Sequence, residues 1–259
     1  DVRGTCVAAK FPAVCAYPKV EVPSFEEVVS SKEAYARANM TEYLEHDAVV
    51  GRAIIQKHGK DFLIVNPPAQ PLTTKEMDEV AELPYVKEPH PMYEDMGGVP
   101  AIEEVRFSVT HNRGCFGACN FCSLAFHQGR TISCRSHESV VREVKALTNH
   151  PGFKGYIHDV GGPTANFRRT SCDVQLKNGL CKGKKCLAPT PCKALVADHS
   201  EYIDILRDLR RLPKVKKVFI RSGIRFDYLI ADTDEEFFKE LINYHVSGQL
   251  KVAPEHCSD

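Results

Sequence analysis

The stretch EVRFSVTHNRGCFGACNFCSLAFHQGRTISCR, residues 104–135, decides how the rest of the chain is read. Its opening, Glu104 to Thr110, alternates polar and apolar side chains, which predicts a strand. Cys115, Cys119 and Cys122 follow at once, with three and then two residues between them. Thiols so spaced in a loop can converge on one metal centre, and Gly114 and Gly117 allow the tight backbone this needs. Four-iron clusters normally take four Cys ligands, and structural zinc also takes four, usually in paired CxxC units. A cluster on three thiolates leaves one iron coordinatively open, which signals cofactor or substrate binding rather than support. Zinc and three unrelated thiols are the competing readings.

Downstream the chain alternates strand and helix. A helix is expected from Ser136 to Asn149, with Val140, Val141, Val144 and Leu147 on one face. Gly155 to Val160 reads as a second strand, ended by Gly161, Gly162 and Pro163. A helix from His199 to Leu212 carries Tyr202, Ile205, Leu206 and Leu209 inward, with Asp198 and Glu201 as a capping box. Lys216 to Ile220 is a third strand, and Asp232 with Glu235 caps a helix carrying Phe237, Phe238, Leu241 and Ile242. Leu250 to Ala253 is a fourth strand. Strands separated by helices imply parallel pairing with right-handed crossovers, and chemistry at the carboxyl ends of the strands. Four strands do not close a barrel.

Residues 1–103 read as an irregular mixed N-terminal extension, and residues 104–259 as the core, with a Cys- and Lys-rich insertion at 168–197. The extension holds a long polar helix from Ser24 to Glu45, a strand from Asp61 to Val65 and a short helix begun by Thr73 or Thr74. Pro84 to Pro100 is expected to wrap the surface.

In composition the chain is an ordinary globular protein of 259 residues, 43% hydrophobic and 26% charged. No apolar run nears the roughly 18–20 residues of a membrane span. Asp1 stands where an initiator Met would, which suggests a piece of a longer chain. Thirty-four basic and thirty-four acidic side chains cancel, so no global field draws in nucleic acid. Lys177, Lys182, Lys184, Lys185 and Lys193 make a local basic stretch, read as a solvated loop rather than an RNA contact. Eleven cysteines without a secretory leader argue for the cytosol, with metal or catalysis rather than disulfides. Cys172, Cys181, Cys186 and Cys192 form a second group, either another cluster or zinc site or free, redox-active thiols. Cys6, Cys15, Cys134 and Cys257 are left as small core or surface residues, and His111 and His127 as packing or supporting groups beside the loop.

The triple-cysteine spacing, with Phe121 just before the third Cys, resembles the signature of the radical S-adenosylmethionine (radical SAM) superfamily. Together with HDVGGPTAN at 158–166, FIRSGIRFDY at 219–228, VAPEH at 252–256 and NPPAQPLT at 66–73, it resembles the YgiQ-like family of radical SAM proteins. That resemblance implies an α/β fold, a partial (β/α) barrel left incomplete at the C-terminus. It implies a [4Fe–4S] cluster on the three cysteines and S-adenosylmethionine on the open iron, cleaved to a 5′-deoxyadenosyl radical. A reducing partner of the flavodoxin or ferredoxin type would feed the cluster; the substrate is open. Phe121 would lie near the adenine. Gly161 and Gly162 match a Gly-Gly-Glu that takes the cofactor's amino group on backbone carbonyls, with Pro163 in place of the Glu. Ser222 and Arg225 would take ribose hydroxyls and carboxylate, an arginine fork suiting the latter. Glu255 and His256 would face the same mouth. An electron-transfer or zinc-stabilised scaffold without SAM chemistry, and an RNA-modifying radical SAM protein, are the alternatives.

Overall fold

The computed structural model describes residues 2–250 and 252. They divide into two compact units, one of residues 2–71, 116–131 and 172–185, the other of residues 72–115, 132–171, 186–250 and 252. The architecture is mixed α/β, with no closed barrel among the described residues.

The first unit is built on a four-stranded sheet in the order Cys6–Ala9, Asp61–Val65, Ala53–His58, Lys19–Glu21. Ala53–His58 and Asp61–Val65 are an antiparallel hairpin across a two-residue turn, where Gly59 takes φ +57. Lys19–Glu21 joins the edge in parallel. Alternation puts Ala53, Ile55 and Ile64 into one small core with Cys15, while the flanking helices are polar and short of apolar faces. The expected helix from Ser24 to Glu45 is two helices, Phe25–Ser30 and Lys32–Glu45. Ser31 breaks it by taking an extended backbone, and its hydroxyl then caps the second helix on Ala34 N.

In the second unit, the segment Tyr156–Gly161 pairs in parallel with both Ser108–Thr110 and Lys217–Val218. Val109, Ile157, Val160 and Val218 point into a core closed by two helices, His137–Leu147 and Ser200–Arg211. Tyr202, Ile205, Leu206 and Leu209 follow helical spacing and are fully buried there, and Tyr202 donates its hydroxyl to Val160 O at 2.5 Å. Thr73 opens Thr74–Ala81 with a capping box on Glu76, as its sequence position predicts. Pro91–Met96 forms a short 3-10 turn in an exposed run.

Several local expectations are corrected. Ile102–Val105 is a helical turn, so the first strand shortens to Ser108–Thr110; the acidic pair Glu103 and Glu104 suits a helix start. Asp198 and Glu201 form no capping box. Asp198 takes Ser200 N at 2.9 Å, and Glu201 turns instead to Arg168. Asp232 does not cap Glu236–Glu240; it follows a helix not expected from sequence, Phe226–Ala231, and bonds His199. In the last helix Phe237 and Leu241 are buried, while Phe238 and Ile242 face solvent. Leu250 and Val252 lie in no strand, and the rest of the expected fourth strand, with Glu255, His256 and Cys257, falls outside the described residues. Truncating Leu206 to Ala should destabilise the second unit by about 2–5 kcal/mol, read as a lower urea midpoint at unchanged slope.

Candidate metal and cofactor site

The cysteine loop starts where the strand Ser108–Thr110 ends. Gly114 (φ +86) and Ala118 (φ +50) are both left-handed, and the second is a strained conformation for a residue with a side chain. Cys122 N reaches Cys119 O at 3.2 Å, closing a turn between two of the thiols. Cys115 is buried, its Sγ 3.3 Å from Thr164 Oγ1, while Cys119 and Cys122 are half-buried. None of the three is joined in a disulfide. By unit, Cys115 closes a segment of the second and the other two belong to the first. Among the described residues no three His, Cys, Asp or Glu side chains are gathered as a metal site. The donor set fits a cluster with an open iron in kind and number: three soft thiols on one short, tightly turned loop. Phe121 is 70% exposed on that loop.

The second unit carries the other expected cofactor residues. Gly161 ends its strand, and its carbonyl accepts His111 N at 2.9 Å. Neither glycine tolerates a side chain: a Cβ on Gly161 would strike Ser222 Oγ, and one on Gly162 would strike Asn112 Oδ1. Pro163 follows half-buried. Ser222 donates its hydroxyl to Asp159, whose other oxygen takes Arg221 N at 2.8 Å and Ser222 N at 3.1 Å. Arg225 forms a two-pronged ion pair with Asp227, both bonds at 2.8 Å. Gly161, Ser222 and Asp159 are thus brought together, whereas the Arg225 fork is engaged within its own helix start.

Sequence reasoning missed the residues that fasten this region. Asp159 clasps the loop after the third strand. Asn166 holds Arg225 on both sides, accepting its N–H at 2.8 Å and donating to its carbonyl at 3.2 Å. Its Nδ2 also reaches His199 Nε2 at 3.1 Å, which leaves Nδ1–H of His199 to donate to Asp232 at 2.6 Å. Burial pushes the His199 pKa down despite that carboxylate. The signal available in sequence was a run of polar residues, HDVGGPTANFRR, where a loop of that length invites little burial.

Of the second cysteine group, Cys172 and Cys181 lie in the first unit and Cys186 and Cys192 in the second, where Cys192 N donates to Cys186 O at 2.9 Å. Lys182 lies 3.5 Å from Glu45, and Lys185 bonds Asn120 at 2.6 Å. Burial pushes the Cys134 thiol up to about 11, and its Sγ donates to Arg168 O at 3.2 Å, so it packs rather than ligates. Beside it, Arg135 pairs with Glu143 and Ser139, and Arg168 with Glu201 and the Arg135 carbonyl.

The first 108 residues match the family model described as "Radical SAM N-terminal". Over those residues the likeness is to the radical SAM proteins. Over its whole length the chain is similar to a UPF0313 protein of Clostridium botulinum (strain Okra / Type B1), 58% identical over 259 residues, covering 100% of this chain and 40% of the relative. A UPF0313 protein of Clostridium perfringens (strain ATCC 13124) is 51% identical over 257 residues, 99% of this chain and 39% of its own. The chain is thus similar to radical SAM-type UPF0313 proteins, and it spans about 40% of the length of the curated relatives it matches.

His111 sits fully buried between the strand and the cysteine loop, Nε2–H donating to Ala165 O at 2.9 Å and Nδ1 facing Arg168 at 3.4 Å. Burial first, then the Arg168 charge, push its pKa down to about 3. The folded chain therefore refuses a proton that the unfolded chain accepts as pH falls below about 6.5. Stability owed to this group is complete above that pH and declines between pH 6.5 and 3, by up to about 1.4 kcal/mol per pH unit. His111→Gln should flatten the pH dependence of the urea midpoint over pH 7 to 5; an unchanged slope would refute the assignment.

Proposed function

We propose that this chain supplies the cluster-binding part of a radical SAM enzyme, and the loop of Cys115, Cys119 and Cys122 carries that reading. The match to the radical SAM N-terminal model makes an enzyme the natural expectation, and the three thiols would supply the donor set that its chemistry requires. Cys115, Cys119 and Cys122 would hold a [4Fe–4S] cluster. When bound and reduced, such a cluster would supply the single electron that cleaves S-adenosylmethionine into methionine and a 5′-deoxyadenosyl radical. The remaining roles fall to this chain's own groups. Gly161 and Gly162 would take a ligand's amino group on their backbone carbonyls, the Gly161 carbonyl sharing it with His111 N. Ser222, held by Asp159, presents a positioned hydroxyl at the end of the neighbouring strand. Phe121 offers an exposed aromatic face to an adenine ring. Arg225 could serve a ligand carboxylate only by exchanging Asp227 for it. The parallel pairing of 108–110, 156–161 and 217–218 supports a partial barrel as the frame. A flavodoxin- or ferredoxin-type donor and an unidentified substrate complete the proposal.

Reconstituting the chain anaerobically with iron and sulfide, reducing it and adding S-adenosylmethionine should yield 5′-deoxyadenosine by mass spectrometry. A Cys115→Ala, Cys119→Ala, Cys122→Ala variant should bind no cluster and give none. Electron paramagnetic resonance decides the nature of the site, since an open iron changes its spectrum when the cofactor binds. A well-formed cluster whose spectrum ignores S-adenosylmethionine would sink the reading in favour of a closed electron-transfer centre.

A further inference from the structure

Burying a charge is costly unless an opposite charge or hydrogen bonds accompany it. Three arginines of this chain are buried: Arg130 at 7% exposure, Arg135 at 3% and Arg168 at 5%. Arg135 has Glu143, Ser139 and the Thr110 carbonyl. Arg168 has Glu201, the Arg135 carbonyl and His111. The Arg130 guanidinium has no acid and no hydrogen-bond acceptor among the described residues, and its Nε is wholly shielded from solvent.

Its position is nonetheless fixed. Gly129, at φ +79, ends the helix Leu124–Gln128 and sets the direction of the next residue. Buried Gln175 donates Nε2 to the Arg130 carbonyl at 3.2 Å. The guanidinium carbon stands 5.8 Å from the centroid of the Tyr43 ring, in cation–π range. Backbone anchors and an aromatic face thus orient the fork, and among the described residues no acidic side chain pairs with it. All of these contacts lie within the first unit.

We infer that Arg130 is an oxyanion-binding residue, its guanidinium taking a carboxylate or phosphate of a small-molecule ligand. A planar fork of N–H donors matches both groups bidentately, and low local dielectric strengthens the pairing. Arg130 follows Cys122 on the same segment of the first unit, 116–131. The inference does not depend on a cluster being bound, so it can fail or stand apart from the radical SAM reading.

The test compares the metal-free chain with Arg130→Met, which keeps the aliphatic stem and removes the charge. Thermal unfolding is followed in sodium phosphate, sodium acetate and S-adenosylmethionine against sodium chloride at equal ionic strength. At least one oxyanion should raise the wild-type midpoint in a concentration-dependent way, and the variant should lose that rise. Without oxyanion the variant should be as stable as the wild type or more so, because an uncompensated buried charge is gone. Phosphate binding by equilibrium dialysis should fall at least ten-fold in the variant if phosphate is the source; stabilisation by acetate or S-adenosylmethionine alone assigns a carboxylate. No oxyanion outdoing chloride, equal stabilisation of both proteins, or a variant that unfolds markedly earlier in chloride would each overturn the inference.

Discussion

The parallel pairing of Tyr156–Gly161 with strands on both sides is the constraint from which the second unit follows. Ile157 and Val160 are fully buried in it, and the Val160 carbonyl receives the hydroxyl of Tyr202 from the covering helix. A strand buried on its faces cannot shift register by one residue without turning its apolar side chains outward. Its end is therefore fixed, and with it the positions of Gly161 and Gly162. Those glycines are required by crowding: Ser222 stands over one and Asn112 over the other.

Around that end, polar side chains clasp backbone where loops would otherwise be loose. Asp159 takes two successive N–H groups at Arg221 and Ser222, and Asn166 takes both polar groups of Arg225. Each bond is modest on its own, but leaving such buried groups unpaired costs more than pairing them gains. Arg168 joins the same region to Glu201, to the Arg135 backbone and to His111. Burial above all, and then the Arg168 charge, hold His111 neutral there. The first unit has much less apolar support, a small core of Cys15, Ala53, Ile55 and Ile64 beneath its sheet. Much of its definition comes from polar contacts such as Asp47, which accepts Val49 N at 2.7 Å and Leu180 N at 2.6 Å.

The cysteine loop concentrates a different physics. Left-handed Gly114 and Ala118 bend the chain on both sides of the first thiol, and the strained one is not a glycine. Strain of this sort marks places where the surroundings dictate backbone shape. Cys134, by contrast, is half-buried, with its thiol pKa raised by burial and its proton donated to a carbonyl, and is chemically quiet. Cysteines of one sequence neighbourhood thus divide into a loop set and a packing residue by environment.

Much of the second unit could be read from the chain alone. The helix faces of Val140, Val144 and Leu147, and of Tyr202, Ile205, Leu206 and Leu209, are spaced as helical periodicity demands, and all are buried. The strands near 156 and 217 and the Cys115, Cys119 and Cys122 spacing were likewise legible, because each signal lies within the reach of one element. The caps expected at Asp198 with Glu201 and at Asp232 with Glu235 failed for the complementary reason. Glu201 and Asp232 each met a partner thirty-three residues away, Arg168 and His199, once folding brought the pairs together. Local spacing specified elements and the candidate cysteine loop; only tertiary structure decided which charges pair, since a salt bridge is chosen by distance in space and a period by distance along the chain.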